Sequence, residues 1–463
     1  MIIRNAFLAL PGRDELVAGE LRVQDGKIAE IGVGRALESQ GDADIVNAEG
    51  LAVLPGAIDA HVHFFDPGYN HKEDFLHGSG ASASGGVTTV VDMPDTSEPA
   101  AIDAQSIREK LEVVSARSLV DFGFFGGISG LLCDDQLSRR VAEMAPEVLG
   151  IKTYATSGSV QFPRVSNHQY YQVLRETRRH NCIVLVHAED YDYVSGATPG
   201  EREHGDGGLA FYRSRPEAAE TLSVLTVTEI AEELGAPMHI VHLGTIRAAE
   251  IVAKCRFVSG ETCPQYLEFD CHDFERIGAP LKITPPVKGP ENRAVLLRML
   301  AEGQIDFIAS DHAPGTHEEK NTGSIWTDYA GIPGAPTLFP YILSEGYLSG
   351  VMGLQRFLEV TSGNPARRYR IADRKGALAE GLDADLVFID TAGSSVVRGE
   401  ESFSKGKITP FEGKELRGKV HRTMVRGRTV FDSEHGVMGE PGTGQFLRPD
   451  PKLRSAGVQP WRG

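Results

Sequence analysis

Apolar positions along the chain follow two textures. Up to about residue 50, and again beyond about residue 369, short alternating runs are broken by turn signals. LRVQDGKIAEIG alternates apolar and polar residues around Asp25-Gly26, which predicts a hairpin, and KVHRTMVRGRTVFD does the same around an Arg-Gly-Arg turn. In between, eight compact apolar runs recur: GAIDAHVHF, TTVVDMP, DFGFFGGI, GIKTYAT, CIVLVHAED, MHIVHLG, RFVSGETCP and DFIASDHAP. Amphipathic stretches such as IREKLEVVSARS, HQYYQVLRETRRH and AETLSVLTVTEIAEEL separate them. Eight strand-like runs spaced by helical segments predict a (β/α)8 TIM barrel. Two partial sheets at the chain ends each need a partner, so the ends are expected to share one small β-sandwich. The expected segments are 1–54 and 369–436 for the sandwich, 55–368 for the barrel, and 437–463 as an extended tail that could lie on a neighbouring subunit.

Composition narrows the function. The chain has 463 residues, 41% hydrophobic and 24% charged, enough for a large buried core. Lys and Arg number 47 against 64 Asp and Glu, a net charge of −17. That sign repels phosphate backbones and anionic lipid surfaces, so no nucleic-acid or membrane partner is expected. No apolar run is long enough to span a bilayer and no signal-peptide pattern opens the chain. Five cysteines without a CxxC pair argue against a disulfide framework and for a reducing cytoplasm.

Candidate chemistry gathers at the carboxyl ends of the runs. The first ends in His61-Val62-His63, the fourth carries Lys152, the fifth ends in His187, the sixth in His242 and the eighth in Asp311. Strand residues two apart share a face, so His61 and His63 should both point into the barrel, at the end where such barrels keep reactive groups. Four imidazoles and a carboxylate converging there form a cation site that suits zinc. A single histidine at a strand end is ordinarily structural; five matching strand ends are not explained that way. His239 is expected to be structural and out of phase with the site, and His312 to point away from Asp311. A protonated Lys152 cannot ligate, but as a carbamate it could bridge two cations.

These stretches, with GGVTTVVDMPDT, KITPPVKGPENR, SGNPAR and PFEGKELRGKV, resemble the binuclear metal-dependent cyclic amidohydrolases, the group of allantoinase, dihydroorotase, hydantoinase and dihydropyrimidinase. The resemblance runs over nearly the whole chain. It implies two divalent metal ions, His61 and His63 on one, His187 and His242 on the other, carboxylated Lys152 bridging them, and Asp311 as both ligand and catalytic general base. It also implies a homodimer or homotetramer.

The ring to be opened is less determined. Dihydroorotases of this type follow His-x-His with an Arg, where this chain has Phe65; Asp95 replaces an Asn, and Gln265 or Tyr266 a His. All three changes weaken carboxylate binding. Hydantoinases often carry a Tyr a few residues beyond the bridging Lys; here Tyr154 lies two beyond and Ser157 five. The expected activity is therefore zinc-dependent opening of a small cyclic amide or imide, allantoinase- or hydantoinase-like, with dihydroorotase as the alternative. A non-catalytic interaction protein of the same fold and a mononuclear deaminase are the other classes considered. Asp95, Thr284 and the backbone near Gly334 are candidate substrate contacts. The loops EREHGDGGLAFYRSRP and PGTHEEKNTGSIW are candidate lids.

Overall fold

The computed structural model describes residues 1–38 and 44–462. The expected segments 1–54 and 437–463 thus include five residues (39–43) and one residue (463) outside the described set. The amino-terminal strands are β1 (Ile2–Leu8), β2 (Val17–Gln24), β3 (Lys27–Val33), β4 (Ile45–Asn47) and β5 (Ala52–Pro55). Asp25 and Gly26, both at positive φ (51° and 77°), make the β2–β3 turn that matches the right-handed twist of its strands.

Eight barrel strands follow: β6 (Ala57–Val62), β7 (Val87–Asp92), β8 (Asp121–Gly127), β9 (Gly150–Tyr154), β10 (Val184–His187), β11 (Met238–Ile240), β12 (Val258–Thr262) and β13 (Phe307–Ile308). They pair in parallel in sequence order, and a bridge from Val62 to His312 joins the last strand region to the first. These are the eight runs read from the sequence. The amphipathic stretches between them form helices, among them Ala104–Val114, Asn167–Arg179 and Glu217–Leu234.

The chain then returns to the first sheet through β14 (Leu386–Val396), β15 (Glu415–Val425), β16 (Arg428–Asp432) and β17 (Gly436–Val437). β14 pairs with β5, so the two chain ends form one nine-stranded sheet among the described residues. Its core mixes both ends, with Ile3, Leu8, Leu21 and Val53 against Leu386, Phe388 and Met424. At the junction with the barrel, buried Lys375 reaches Asp121 at 2.5 Å, Asp385 at 2.6 Å and Asp383 at 3.0 Å.

Cross-strand register fixes the lumen. Lys152 is paired with Leu185 and Gly127, and Leu185 with His239. Lys152, Leu185 and His239 therefore share the inward face, as do His187, two residues on from Leu185, and Glu261, two on from Ser259, the cross-strand partner of His239. His239 is thus in phase with the lumen, contrary to expectation; it sits one layer below the site.

The tail, without helix or strand over most of its length, has its contacts within this chain. It lies on its own barrel, because it carries apolar groups that the barrel's amino-terminal face can bury. The Phe446 ring packs 5.7 Å from Phe122 and 4.9 Å from Phe124, and Leu447 joins a core cluster with Phe125, Leu149 and Tyr369. Asn181 Nδ2 donates to the Gly457 carbonyl at 2.9 Å, and Trp461 Nε1 to Asp306 at 2.7 Å.

Candidate active site

A cavity of about 330 Å³ opens at the carboxyl ends of the barrel strands. His61, His63, Lys152, His187, His242 and Asp311 line it, together with Asp95, Thr96, Tyr154, Ser157, Arg215, Thr284, Tyr329 and Gly331. Asp311 Oδ1 lies 3.2 Å from His61 Nε2 and 3.4 Å from His63 Nε2. His187 Nδ1 faces His242 Nε2 at 3.0 Å. Lys152 is 1% exposed, with Nζ 4.9 Å from the centroid of the Tyr154 ring.

Two of these residues hold uncommon backbone. Alternation along β11 puts His239 and Val241 inward, so His242 should point out; its φ of 45° turns the side chain back to the cavity. Asp311 has φ 53°. Non-glycine residues in the left-handed region cost about 1–3 kcal/mol each and persist where surrounding packing imposes them.

The electrostatics follow from burial and from the neighbours. Burial, then the charge of Lys152 and of the other imidazoles, keeps His61 well below its ordinary value, with Asp311 opposing. Burial also lowers Lys152, against the pull of Asp95 and Asp311. Burial raises the Asp311 carboxyl, but facing His61, the hydrogen bond from His63 and the charge of His242 outweigh it and hold the acid below the usual carboxylate range. His61, His187 and His242 are thus held below their ordinary values by burial, beside a carboxylate held below its own.

This donor set fits divalent cations. His61, His63 and Asp311 offer ligand atoms within 4.8 Å of one another. The remaining ring nitrogens of two histidines are already engaged: His61 Nδ1 with Glu261 Oε1 at 2.6 Å, and His187 Nε2 with Glu189 Oε2 at 2.9 Å. The other nitrogens, His61 Nε2 and His187 Nδ1, are the ones turned toward the cavity and its remaining polar groups, the arrangement that orients imidazole ligands.

The expected substrate contacts divide. Asp95 and Thr284 line the cavity; the buried Oδ1 of Asp95 has no hydrogen-bond partner. Gly334 does not line it. It stands at the start of the helix Ala335–Ile342, close against the Ser310 carbonyl, and Gly331 occupies the wall instead. Phe65 packs beneath Tyr329, with ring centroids 6.4 Å apart. Gln265 Nε2 donates to the Ser310 carbonyl and the Tyr266 hydroxyl to Pro285, so neither faces the cavity. His312 turns away from Asp311, toward buried Glu73 at 3.3 Å.

Sequence reading missed Arg215, Tyr329, Glu189 and Glu261. Arg215 reaches Glu189 Oε2 at 2.5 Å, and Lys288 Nζ donates to the Arg215 carbonyl at 2.7 Å. Arg215 sits near the end of the first candidate lid and Tyr329 three residues beyond the second, where no periodicity marks a direction. The lids are tied together: Asp206 Oδ1 accepts from Ser324 Oγ at 2.7 Å and Ile325 N at 2.9 Å, and Trp326 Nε1 donates to the Gly205 carbonyl.

A parallel α/β barrel with imidazole, amine and carboxylate side chains gathered at the carboxyl ends of five strands is the layout of a barrel enzyme. The chain belongs to the amidohydrolase family, which its residues 52–430 match. It is 36% identical over 453 residues to an allantoinase of Rubrobacter xylanophilus, covering 94% of this chain and 98% of that protein. It is 32% identical over 455 residues to an allantoinase of Deinococcus radiodurans, covering 97% and 98%. Among solved structures, the L-hydantoinase (dihydropyrimidinase) of Arthrobacter aurescens superposes with a TM-score of 0.91 at 28% identity, over 96% of this chain and 99% of that one. A D-hydantoinase (dihydropyrimidinase) from Thermus sp. gives 0.89 at 25% identity, over 97% and 99%.

Proposed function

We propose that this amidohydrolase opens the ring of a neutral cyclic amide of the allantoin or hydantoin type, using two divalent ions, zinc by preference. The observation that carries this reading is the convergence of four imidazoles, Lys152 and Asp311 on one cavity of small-molecule size. The allantoinase and hydantoinase relatives support cyclic amide hydrolysis as the activity.

His61 and His63 would hold one ion, His187 and His242 the other. Lys152, buried and with its amine lowered by that burial, would bridge them after reacting with carbon dioxide to give a carbamate and a proton. When bound, the ions supply Lewis acidity and lower the pKa of a shared water. The chain's own residues do the rest. Asp311, kept ionised by its imidazole neighbours, accepts the proton of the attacking water and returns it to the departing ring nitrogen. Tyr154, Ser157, Thr284 and Gly331 line the wall that orients the ring. Both lids, held to each other, restrict entry of bulk water.

The wall favours a neutral ring over a carboxylate. Asp95 presents an unpartnered carboxylate oxygen, and the Arg215 guanidinium is already paired with Glu189. Five unpaired thiols fit a reducing cytoplasm, and no helix among the described residues is long and apolar enough to cross a membrane. A homodimer or homotetramer rests on the resemblance.

The test is ring opening of allantoin, hydantoin, dihydrouracil and dihydroorotate by zinc-loaded protein, beside a Lys152→Ala variant. Turnover of a neutral ring by the wild type and loss of both activity and zinc in the variant are expected. Turnover of dihydroorotate alone would overturn the substrate assignment, and full activity in Lys152→Ala would overturn the bridging role.

A further inference from the structure

Two buried carboxylates stand directly behind the site, and nothing in the reaction above uses them. Glu261 and Glu189 are both 0% exposed. Burying a carboxylate is costly unless donors answer it; Glu261 is met at both oxygens, whereas Glu189 is met at Oε2 and its Oε1 has no partner.

Glu261 lies in the lumen on β12. Its Oε1 accepts from His61 Nδ1 at 2.6 Å and its Oε2 from His239 Nε2 at 3.1 Å. His239 Nδ1 in turn accepts from the Ser259 hydroxyl at 2.7 Å, and the His239 ring stacks on Phe307 with centroids 4.8 Å apart and planes within 2°. With Glu261 accepting at both oxygens, the line places a proton on His61 Nδ1. His61 Nε2 is then the nitrogen turned to the cavity, 3.2 Å from Asp311 Oδ1.

Glu189 works from the other side and on the other nitrogen. Its Oε2 accepts from His187 Nε2 at 2.9 Å and from Arg215 at 2.5 Å. His187 therefore carries its proton on Nε2 and presents Nδ1 to the cavity. The two histidines expose different nitrogens, and each choice is dictated by a different glutamate. The anchors behind them differ as well: a dry histidine and serine behind Glu261, a cavity-lining arginine behind Glu189. Among the described residues the two lines share no hydrogen-bonding residue.

We propose that Glu261 and Glu189 are separate positioning residues, one for each half of the metal centre, Glu261 acting through His61 and Glu189 through His187. This rests on the dinuclear reading above. A carboxylate behind an imidazole ligand is a general device, and its loss weakens metal binding by about 10–100-fold. Here two independent lines make the halves separable.

The experiment is zinc binding by chelator competition on metal-stripped protein, for the wild type, Glu261→Gln, Glu189→Gln and each of these combined with His61→Ala. Wild type should bind two equivalents. Each single glutamine variant should weaken one equivalent about 10–100-fold and leave the other within about twofold. In the His61→Ala background, Glu261→Gln should add no further loss, whereas Glu189→Gln should add its full effect. Ser259→Ala, which disturbs only the far end of the line, should weaken the same equivalent as Glu261→Gln by a smaller factor and covers the case in which Glu261→Gln does not fold. Wild-type zinc affinity in both glutamine variants, loss of both equivalents from either one, or wild-type affinity in Ser259→Ala where Glu261→Gln does not fold, would overturn the proposal. A wild-type chain that binds no zinc would instead overturn the dinuclear reading itself.

Discussion

The tie between the two lids allows the sharpest structural prediction. Asp206 joins segment 201–216 to segment 314–331 through two hydrogen bonds, to Ser324 Oγ and Ile325 N. Each segment ends in cavity wall, Arg215 on one side and Tyr329 to Gly331 on the other. Asp206 is exposed, so each bond is worth only about 1 kcal/mol net, and Asp206→Ala should free the pair by about 2 kcal/mol. Local opening should then rise about thirtyfold. The assay is amide hydrogen exchange over residues 314–331, where Ile325 N loses its acceptor and the bonds from Thr327 and Asp328 to the Ser324 carbonyl lose their anchor. Exchange in the barrel strands should not change. Substrate binding should weaken, read as a higher KM with kcat less affected. Unaltered exchange in 314–331 would refute the idea that this contact holds the lids, because the Trp326 contact with Gly205 and its packing on Phe211 would then suffice.

Further expectations concern chemistry and stability. Asp311→Asn should lower kcat by about 10²–10⁴, the range for loss of a positioned base, read with saturating substrate and zinc; a loss below tenfold would remove Asp311 from that role. Glu220, fully buried, has its carboxyl pushed up to about 7 by burial, against Lys288 and the Gly244 amide. The folded chain therefore keeps a proton that the unfolded chain has released above about 4.5, and stability falls as pH rises from there to about 7. Glu220→Gln should be more stable than wild type by up to about 3 kcal/mol at pH 8 and equal to it near pH 4, measured by urea unfolding; a pH-independent difference would contradict the assignment. Lys375→Met leaves three buried acids without their shared cation and should cost about 3–5 kcal/mol in the same assay. An unchanged urea midpoint would show that Arg374 and Arg426 compensate.

Much of the fold was legible because it depends on local pattern. Eight apolar runs could be counted, and Asp-Gly and Arg-Gly turns signal hairpins through their positive φ. The union of the two ends into one sheet also followed from the need of each for a partner. What was not legible depends on backbone conformation or on distant contacts. His242 reaches the cavity through a left-handed φ, not through strand alternation, so period-two reasoning that tracked His242 placed His239 on the wrong face. Arg215 gained its place from Glu189 and Lys288, far apart in sequence, and a loop offers no periodicity to show it. Gly334 was singled out three residues too late, because the wall of the cavity ends at Gly331 before the next helix begins. The Gly and Pro content of the tail marked it as extended but not where it lies; Phe446, Leu447 and Trp461 seat it on its own barrel.

The dinuclear centre is the claim on which the catalytic account stands. The most direct measurement is a zinc titration of metal-stripped protein in bicarbonate buffer, following opening of the allantoin or hydantoin ring at each addition. The account predicts activity that rises with zinc and breaks at two equivalents per chain. A break at one equivalent, or turnover that is indifferent to zinc, would contradict it.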